Sequence, residues 1–299
     1  MAQFDPRGTL APHVRRRVES LAAAVDDVVV VSASDLTDEA RGWLRSRVRL
    51  VERDNTGYDF LGYRQGLEGA DLASYDEVTI CNDSVVGVVD LAAVYDAMAG
   101  RAADFWGLTE TDRVKHHVQS FFVTFRPSVT GSQAFRDFWD DVTVLTDRSQ
   151  VIRRYEVGLS RRLYRAGFTS AAHFVETPAD RTIARRRVRW WALGRTGVPR
   201  SREHAALLRK RAGVPWNPSI ALADRALPAP DAGDPRLSYV KIDTLRHDPY
   251  GLGADRLLDL CEQAHPAAFE GVRAYLSDTA AADPTRPGEA LRPVAAPLR

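Results

Sequence analysis

Glu156 is a lone carboxylate near the start of the helix-like stretch RRYEVGLSRRLYRAGF. A carboxylate so placed can take a proton from an acceptor hydroxyl. It can equally be a charge in a first helical turn, favoured by the helix dipole. Two polar turns upstream offer a different chemistry. In the first, Arg53 can pair with phosphate, Asn55 and Asp59 can hydrogen-bond a ribose or base, and Gly57 permits close approach of backbone to a ligand. The second is Asn82-Asp83-Ser84, whose oxygen ligands suit Mg²⁺ or Mn²⁺ held against a diphosphate. It has one carboxylate, and the alternative is that Asp83 or Ser84 simply caps the next helix or turn. His116-His117 precede Gln119-Ser120 at the head of a strand, where His117 is expected to line a cleft. His173 follows the Glu156 helix as a further metal ligand might, although a lone histidine is more often structural.

The elements that must position these residues alternate. Val14, Val18, Leu21 and Val25 share a helix face, and Val28–Ser32 is a β-branched run without alternation, as in a strand buried on both faces. Thr37 can cap a short helix before a second strand at Val48–Val51. Tyr58–Leu67 reads as helix, Glu77–Cys81 as strand, and a helix with Leu91, Val94 and Met98 inward ends at Gly100. Asp104–Leu108 and Val118–Phe125 read as further strands, Ser132 and Ser149 as caps of two later helices, and Phe168–Val175 as a last strand. This rhythm predicts a mostly parallel α/β sheet flanked by helices, in which ligands bind outside the carboxyl ends of the strands. Both polar turns would lie there, as in a nucleotide-sugar site. The AQFDPRG stretch reads as the end of a strand and its turn, so the first strand is expected to be a stub or to begin upstream of Met1.

Net charge is +1, which argues against polyanion binding by bulk charge. Two cysteines form no disulfide framework and no metal-ligand spacing, and the natural compartment is a reducing cytoplasm. No apolar run reaches the ~20 residues of a membrane span. Composition changes near residue 180: residues 181–211 hold eleven Arg or Lys, one acid, and Trp190-Trp191. That pattern fits a membrane surface with anionic headgroups, with nucleic acid as the competing partner and a solvated helical face as the plain alternative. The absence of a recognition motif counts against nucleic acid. The expected domains are 1–178 for the site, 179–277 as a basic, helical C-terminal extension on the acceptor or membrane side, and 278–299 as a disordered tail.

Six motifs in order give the chain a resemblance to the rhamnan synthesis protein F family over roughly residues 8–250. They are RDNTGYDFLGY, YDEVTICNDSVVG, DFWGLTET with HHVQSFFVTF, FWDDV, RRYEVGLSRRLYRAGF and YVKIDTLRHDPYG. The resemblance implies a GT-A-like, Rossmann-type fold and a glycosyltransferase of cell-surface polysaccharide synthesis. It implies that Asn82-Asp83-Ser84 is the counterpart of a metal-holding acidic turn, with Asp83 and a divalent cation stabilising the departing diphosphate. Arg53, Asn55, Gly57 and Asp59 would form the donor-side loop. Trp106, Gly107, His117, Gln119 and Ser120 would line the central cleft, and Glu156 would be the catalytic base. The expected reaction is inverting transfer of a sugar, with L-rhamnose from dTDP-rhamnose as the leading donor, to a glycan or lipid-linked acceptor at the inner face of the plasma membrane. The alternative is a catalytically degenerate module that binds sugar nucleotide or glycan, or scaffolds an assembly complex.

Overall fold

The computed structural model describes residues 1–87, 90–111, 115–175, 178, 182, 239–247 and 254–282. The basic stretch at 181–211, Thr182 apart, and the tail beyond 282 lie outside the described residues. The chain divides into two compact units, one of Met1–Asp83 with Val89–Val175 and one of Ser84–Val88 with Glu176–Arg299.

The first unit is built on two ladders. Strands β1 (Ala2–Gln3), β2 (Val29–Ser32) and β3 (Arg49–Glu52) pair in parallel, with Val31 opposite both Ala2 and Val51. The β-branched run of β2 is buried at Val30 and Val31, as a strand with a neighbour on each side requires. The second ladder runs β10 (Ser170–Ala172), β6 (Phe105–Gly107), β9 (Phe122–Phe125) and β4 (Val78–Cys81). Strand β9 is antiparallel to both of its neighbours, and β10 is parallel to β6. One parallel bridge, between Ala2 and Asn82, joins the ladders at β1 and β4. The combined order is β3-β2-β1-β4-β9-β6-β10 with β9 reversed, a mixed α/β sheet.

Helices start where local chemistry satisfies their first amides. Thr37 accepts from Ala40 N ahead of α2 (Asp38–Arg45), and Ser132 accepts from Phe135 N ahead of α6 (Gln133–Asp140). Asp90 does the same for Ala93 N at α4 (Leu91–Ala99). Helices α1 (Pro12–Ala24) and α5 (Pro127–Thr130) have proline in their first turn, where no amide hydrogen is needed. The cap of α7 (Arg148–Val151) is Asp147, which accepts from Ser149 N, and not Ser149 as expected. The core packs α3 (Tyr58–Leu67) against α6 and Tyr155. Phe60 sits within 5.5 Å of the rings of Tyr63 and Tyr155 and within 6.2 Å of those of Phe138 and Trp139.

Two further expectations are corrected. Val118–Phe125 is not one strand: β8 (His117–Val118) pairs with β7 (Glu110–Thr111), and the chain turns before β9. Gln119 causes the break, because its amide donates to Thr109 O at 3.0 Å and its side chain accepts from Thr109 Oγ1 at 2.8 Å. The turn at Asn82-Asp83-Ser84 does not lead into a helix either. Strand β5 (Val85–Gly87) follows and pairs antiparallel with β11 (Tyr239–Lys241). Its buried Val86 joins Val240, Leu245, Leu257, Phe269 and Val272 in the core of the second unit. Helices at Ile242–His247, Ala254–Ala264, Pro266–Phe269 and Val272–Asp278 complete the described part of that unit.

Candidate functional site

Strand β1 connects to β2 on one side and lies beside β4 on the other, so the carboxyl edge between β1 and β4 is the switch-point crevice of the sheet. The chain leaves β1 through Phe4-Asp5-Pro6-Arg7-Gly8. Asp5 is buried and gathers the Arg7 guanidinium (Nε at 3.1 Å, Nη2 at 2.9 Å) and the Arg7 amide at 2.9 Å. Gly8 has φ +69°, and a Cβ there would come within 2.0 Å of Asp35 O, so this turn is closed to other residues. Across the crevice, Asp83 Oδ2 accepts from Phe4 N at 2.9 Å, and Asn82 Nδ2 donates to Asp59 Oδ2 at 2.8 Å. Part of the Asp83 side chain still meets solvent, yet lost hydration pushes its carboxyl up to about 7, with the charges of Asp59 and Asp5 adding to the rise and the Phe4 amide opposing it.

Glu156 forms the other wall. Between α7 and α8 (Val157–Arg165) the helix widens into a π-turn over Ile152–Glu156. Such turns insert a residue and commonly mark functional positions. Tyr155 is held in the core, its hydroxyl donating to Thr143 O at 2.9 Å, while Glu156 faces the β8–β9 turn. There Glu156 Oε1 accepts from Ser120 N at 3.4 Å and lies 3.9 Å from His117 Nε2. Tyr63 links the two walls. Its hydroxyl donates to Ser120 O at 3.1 Å. Burial raises its phenol well above the ordinary value, and the charges of Asp59, Cys81, Asp83 and Glu156 raise it further. Beside Ser120, Phe121 O accepts from Asn82 N at 3.2 Å, which ties the two walls at this turn.

Asp59, Asn82, Asp83, His117, Ser120 and Glu156 are therefore brought together. The other candidates are placed differently. Arg53 folds back on its own turn, its guanidinium donating to Thr56 O, and Asn55 is exposed beside it. Gly57 takes φ +72°, where a Cβ would meet Leu61 at 2.9 Å, so glycine is needed for the left-handed entry to α3. Ser84 belongs to the second unit, where its carbonyl accepts from Ile242 N. Trp106 is fully buried and donates to Glu77 at 3.0 Å; it is core. Gly107 is required by packing, since a Cβ would come within 2.3 Å of Val118. Gln119 ties the β7–β8 connection, as described above. His173 follows β10, packs edge-on against Phe174, and burial lowers its pKa.

The donor set does not fit a metal cage. Among the described residues, no three His, Cys, Asp or Glu converge on one point. The turn carboxylate, Asp83, already serves the Phe4 amide. Asp5, Arg7 and Tyr63 were missed by sequence reasoning. For Asp5 and Arg7 the Asp-Pro-x-Gly turn after the stub strand was a readable signal; for Tyr63 nothing local distinguished it from a core aromatic. Tyr58 was also missed: it is a non-glycine residue at φ 57°, 43% exposed, its hydroxyl donating to Thr146 O at 3.2 Å. Such strain is concentrated at functional positions. A separate cavity of about 640 Å³ opens at the opposite edge, between the first residues of β2 and β4 and lined by Met1, Val29, Val78 and Tyr95. It is the gap beneath the short β1 and holds none of the candidate residues except Tyr63.

The profile of the family described as Rhamnan synthesis protein F matches residues 28–186, more than half of the chain. The chain belongs to the rhamnan synthesis protein F family. The matched range contains every residue of both walls except the turn after β1. Among curated proteins, the chain is similar to the uncharacterized protein y4gN of Sinorhizobium fredii, 29% identical over 173 residues, covering 55% of this chain and 45% of that protein. It is also similar to the virulence protein VirA of Vibrio anguillarum, 30% identical over 116 residues, covering 36% of each. The chain thus spans less than half the length of these curated relatives. The family's description links its members to rhamnan synthesis. No helix among the described residues is long and apolar enough to cross a membrane.

Proposed function

We propose that the protein is a GT-A-like glycosyltransferase that moves a sugar, with L-rhamnose from dTDP-rhamnose as the leading candidate, onto a surface polysaccharide or lipid-linked glycan. The observation that carries this reading is Glu156 on the Ser120 amide, at a turn that Tyr63 and Asn82 also bond, with Asn82 in turn holding Asp59. The strand order with one reversed strand supports it. In the proposed single inverting displacement, Glu156 takes the proton of the acceptor hydroxyl as its oxygen attacks the anomeric carbon. The bond from that carbon to the diphosphate breaks, and the diphosphate leaves with the electron pair. Arg7, fixed by Asp5, and the Asn82–Asp59 pair frame the donor side. The basic Trp segment at 181–211 holds the enzyme at an anionic, cytoplasmic membrane face. Glu156→Gln is expected to abolish transfer while leaving donor binding within about twofold by calorimetry. Full turnover by this variant removes Glu156 as the base. A thermal-shift screen over nucleotide sugars identifies the donor.

One observation favours a second reading, a catalytically degenerate module that binds sugar nucleotide or glycan, or scaffolds assembly. The Asp83 carboxylate is engaged by backbone and carries no second carboxylate beside it in its turn. Calorimetry with dTDP and Mn²⁺ separates the readings: donor binding with no transfer by the wild type selects the module.

A further inference from the structure

His117 is 3% exposed, and its two ring nitrogens face different partners. Nδ1 lies 2.7 Å from Lys115 O. A carbonyl can only accept, so Nδ1 carries hydrogen in every protonation state. Nε2 of the neutral ring then carries no hydrogen, and it lies 3.9 Å from Glu156 Oε1. Two acceptors face each other there when the imidazole is neutral and the carboxylate ionised. A proton placed between them converts that repulsion into an ion pair. Strand β7 contributes Glu110, which pairs with the neighbouring His116 at 3.5 Å. Helix α8 contributes the neutral Ser160 hydroxyl, on Val118 N. Helix α3 contributes the neutral Tyr63 phenol through Ser120 O, and β10 is followed by His173. Among the described residues, the charged group within 4 Å of His117 is Glu156.

We infer that His117 and Glu156 form one proton-accepting pair, in which His117 acts through Glu156 as the proton's final seat. This rests on the glycosyl-transfer reading. As the acceptor oxygen bonds to the anomeric carbon, its proton passes to Glu156 Oε1 and on to His117 Nε2. The diphosphate departs with its electron pair, and the site is left as imidazolium and carboxylate until the proton exchanges with solvent. The pair allows Glu156 to be recharged before product leaves, which a lone carboxylate cannot do.

The test is ¹⁵N NMR of the histidine rings in the full chain, with His116 as an internal reference. In the wild type, Nδ1 of His117 is expected to carry the ring hydrogen. Glu156→Gln is expected to shift the Nε2 resonance of His117 and to leave that of His116 unmoved. His117→Gln is expected to keep donor affinity and lower the rate of transfer at least tenfold, with the pH profile of transfer shifted. A bare Nδ1, an unmoved His117 Nε2 resonance in Glu156→Gln, or a wild-type rate in His117→Gln overturns the pair while leaving glycosyl transfer intact. Absence of transfer by the wild type with every nucleotide sugar overturns both. If His117→Gln does not fold, the spectrum of Glu156→Gln alone decides.

Discussion

Asp83 shows how a site residue can work against the fold that holds it. Its carboxyl is raised from 3.8 to about 7, so ionising it costs more in the folded chain than in the unfolded one. The penalty is absent below pH 4, grows as pH rises, and is complete above about 7. Asp83→Asn keeps an oxygen for the Phe4 amide and removes the charge. It is expected to raise stability by about 1–2 kcal/mol at pH 8, after discounting for solvent contact, and to change it little at pH 4. Denaturant titrations at the two pH values check this. His13 acts in the opposite direction. Burial, then Arg16 and Arg17, lower its pKa to about 3, so the unfolded chain takes up a proton first as pH falls below 6.5 and stability is lost from there down to about 3. Replacing His13 by Asn is expected to flatten that acid limb in the same titrations.

At the scale of elements, the site depends on two irregularities. One is the left-handed Gly57-Tyr58 entry to α3, and the other is the π-turn ahead of α8. Gly57→Ala must pay both a positive φ and a contact with Leu61, and is expected to lower stability by about 1–2 kcal/mol, read as a drop in Tm. Much of the element pattern was legible from the residues. The β-branched run of β2, the Thr37 and Ser132 caps, and the buried face of Leu91, Val94 and Met98 follow from periodicity and capping chemistry alone. What was not legible depends on distant chain. Val85–Gly87 follows a turn and looked like a helix lead-in; it becomes a strand because Tyr239–Lys241 pairs with it. Trp106 and Gln119 fall in motifs that the resemblance assigns to a central cleft, but Glu77 and Thr109 satisfy their polar groups inside the protein. The π-turn has no signature in residue type, since a helix face with Val151, Tyr155 and Leu159 inward reads the same with or without the inserted residue.

For the whole molecule, net charge of +1 conceals an uneven distribution along the sequence, with eleven Arg or Lys and one acid in residues 181–211. Binding to vesicles containing anionic lipid is expected, with loss of binding at high salt because the Debye length shrinks from about 8 Å at physiological ionic strength to about 3 Å at 1 M. Co-sedimentation with neutral and anionic vesicles measures it. Binding unaffected by salt, or equal on neutral vesicles, excludes headgroup charge as the anchor.

The sheet of the first unit has a seam. Above the cavity beneath β1, its two ladders share one bridge at Ala2–Asn82 and one clasp from Phe4 N to Asp83. Shear between the halves is resisted at the carboxyl edge, at the place where a donor would lie across both. A bound ligand is then a rivet as well as a reactant. The amides of Phe4 and Asn82 become strain gauges for it, with hydrogen exchange slowed on binding, whereas amides at the outer strands β3 and β10 stay unchanged.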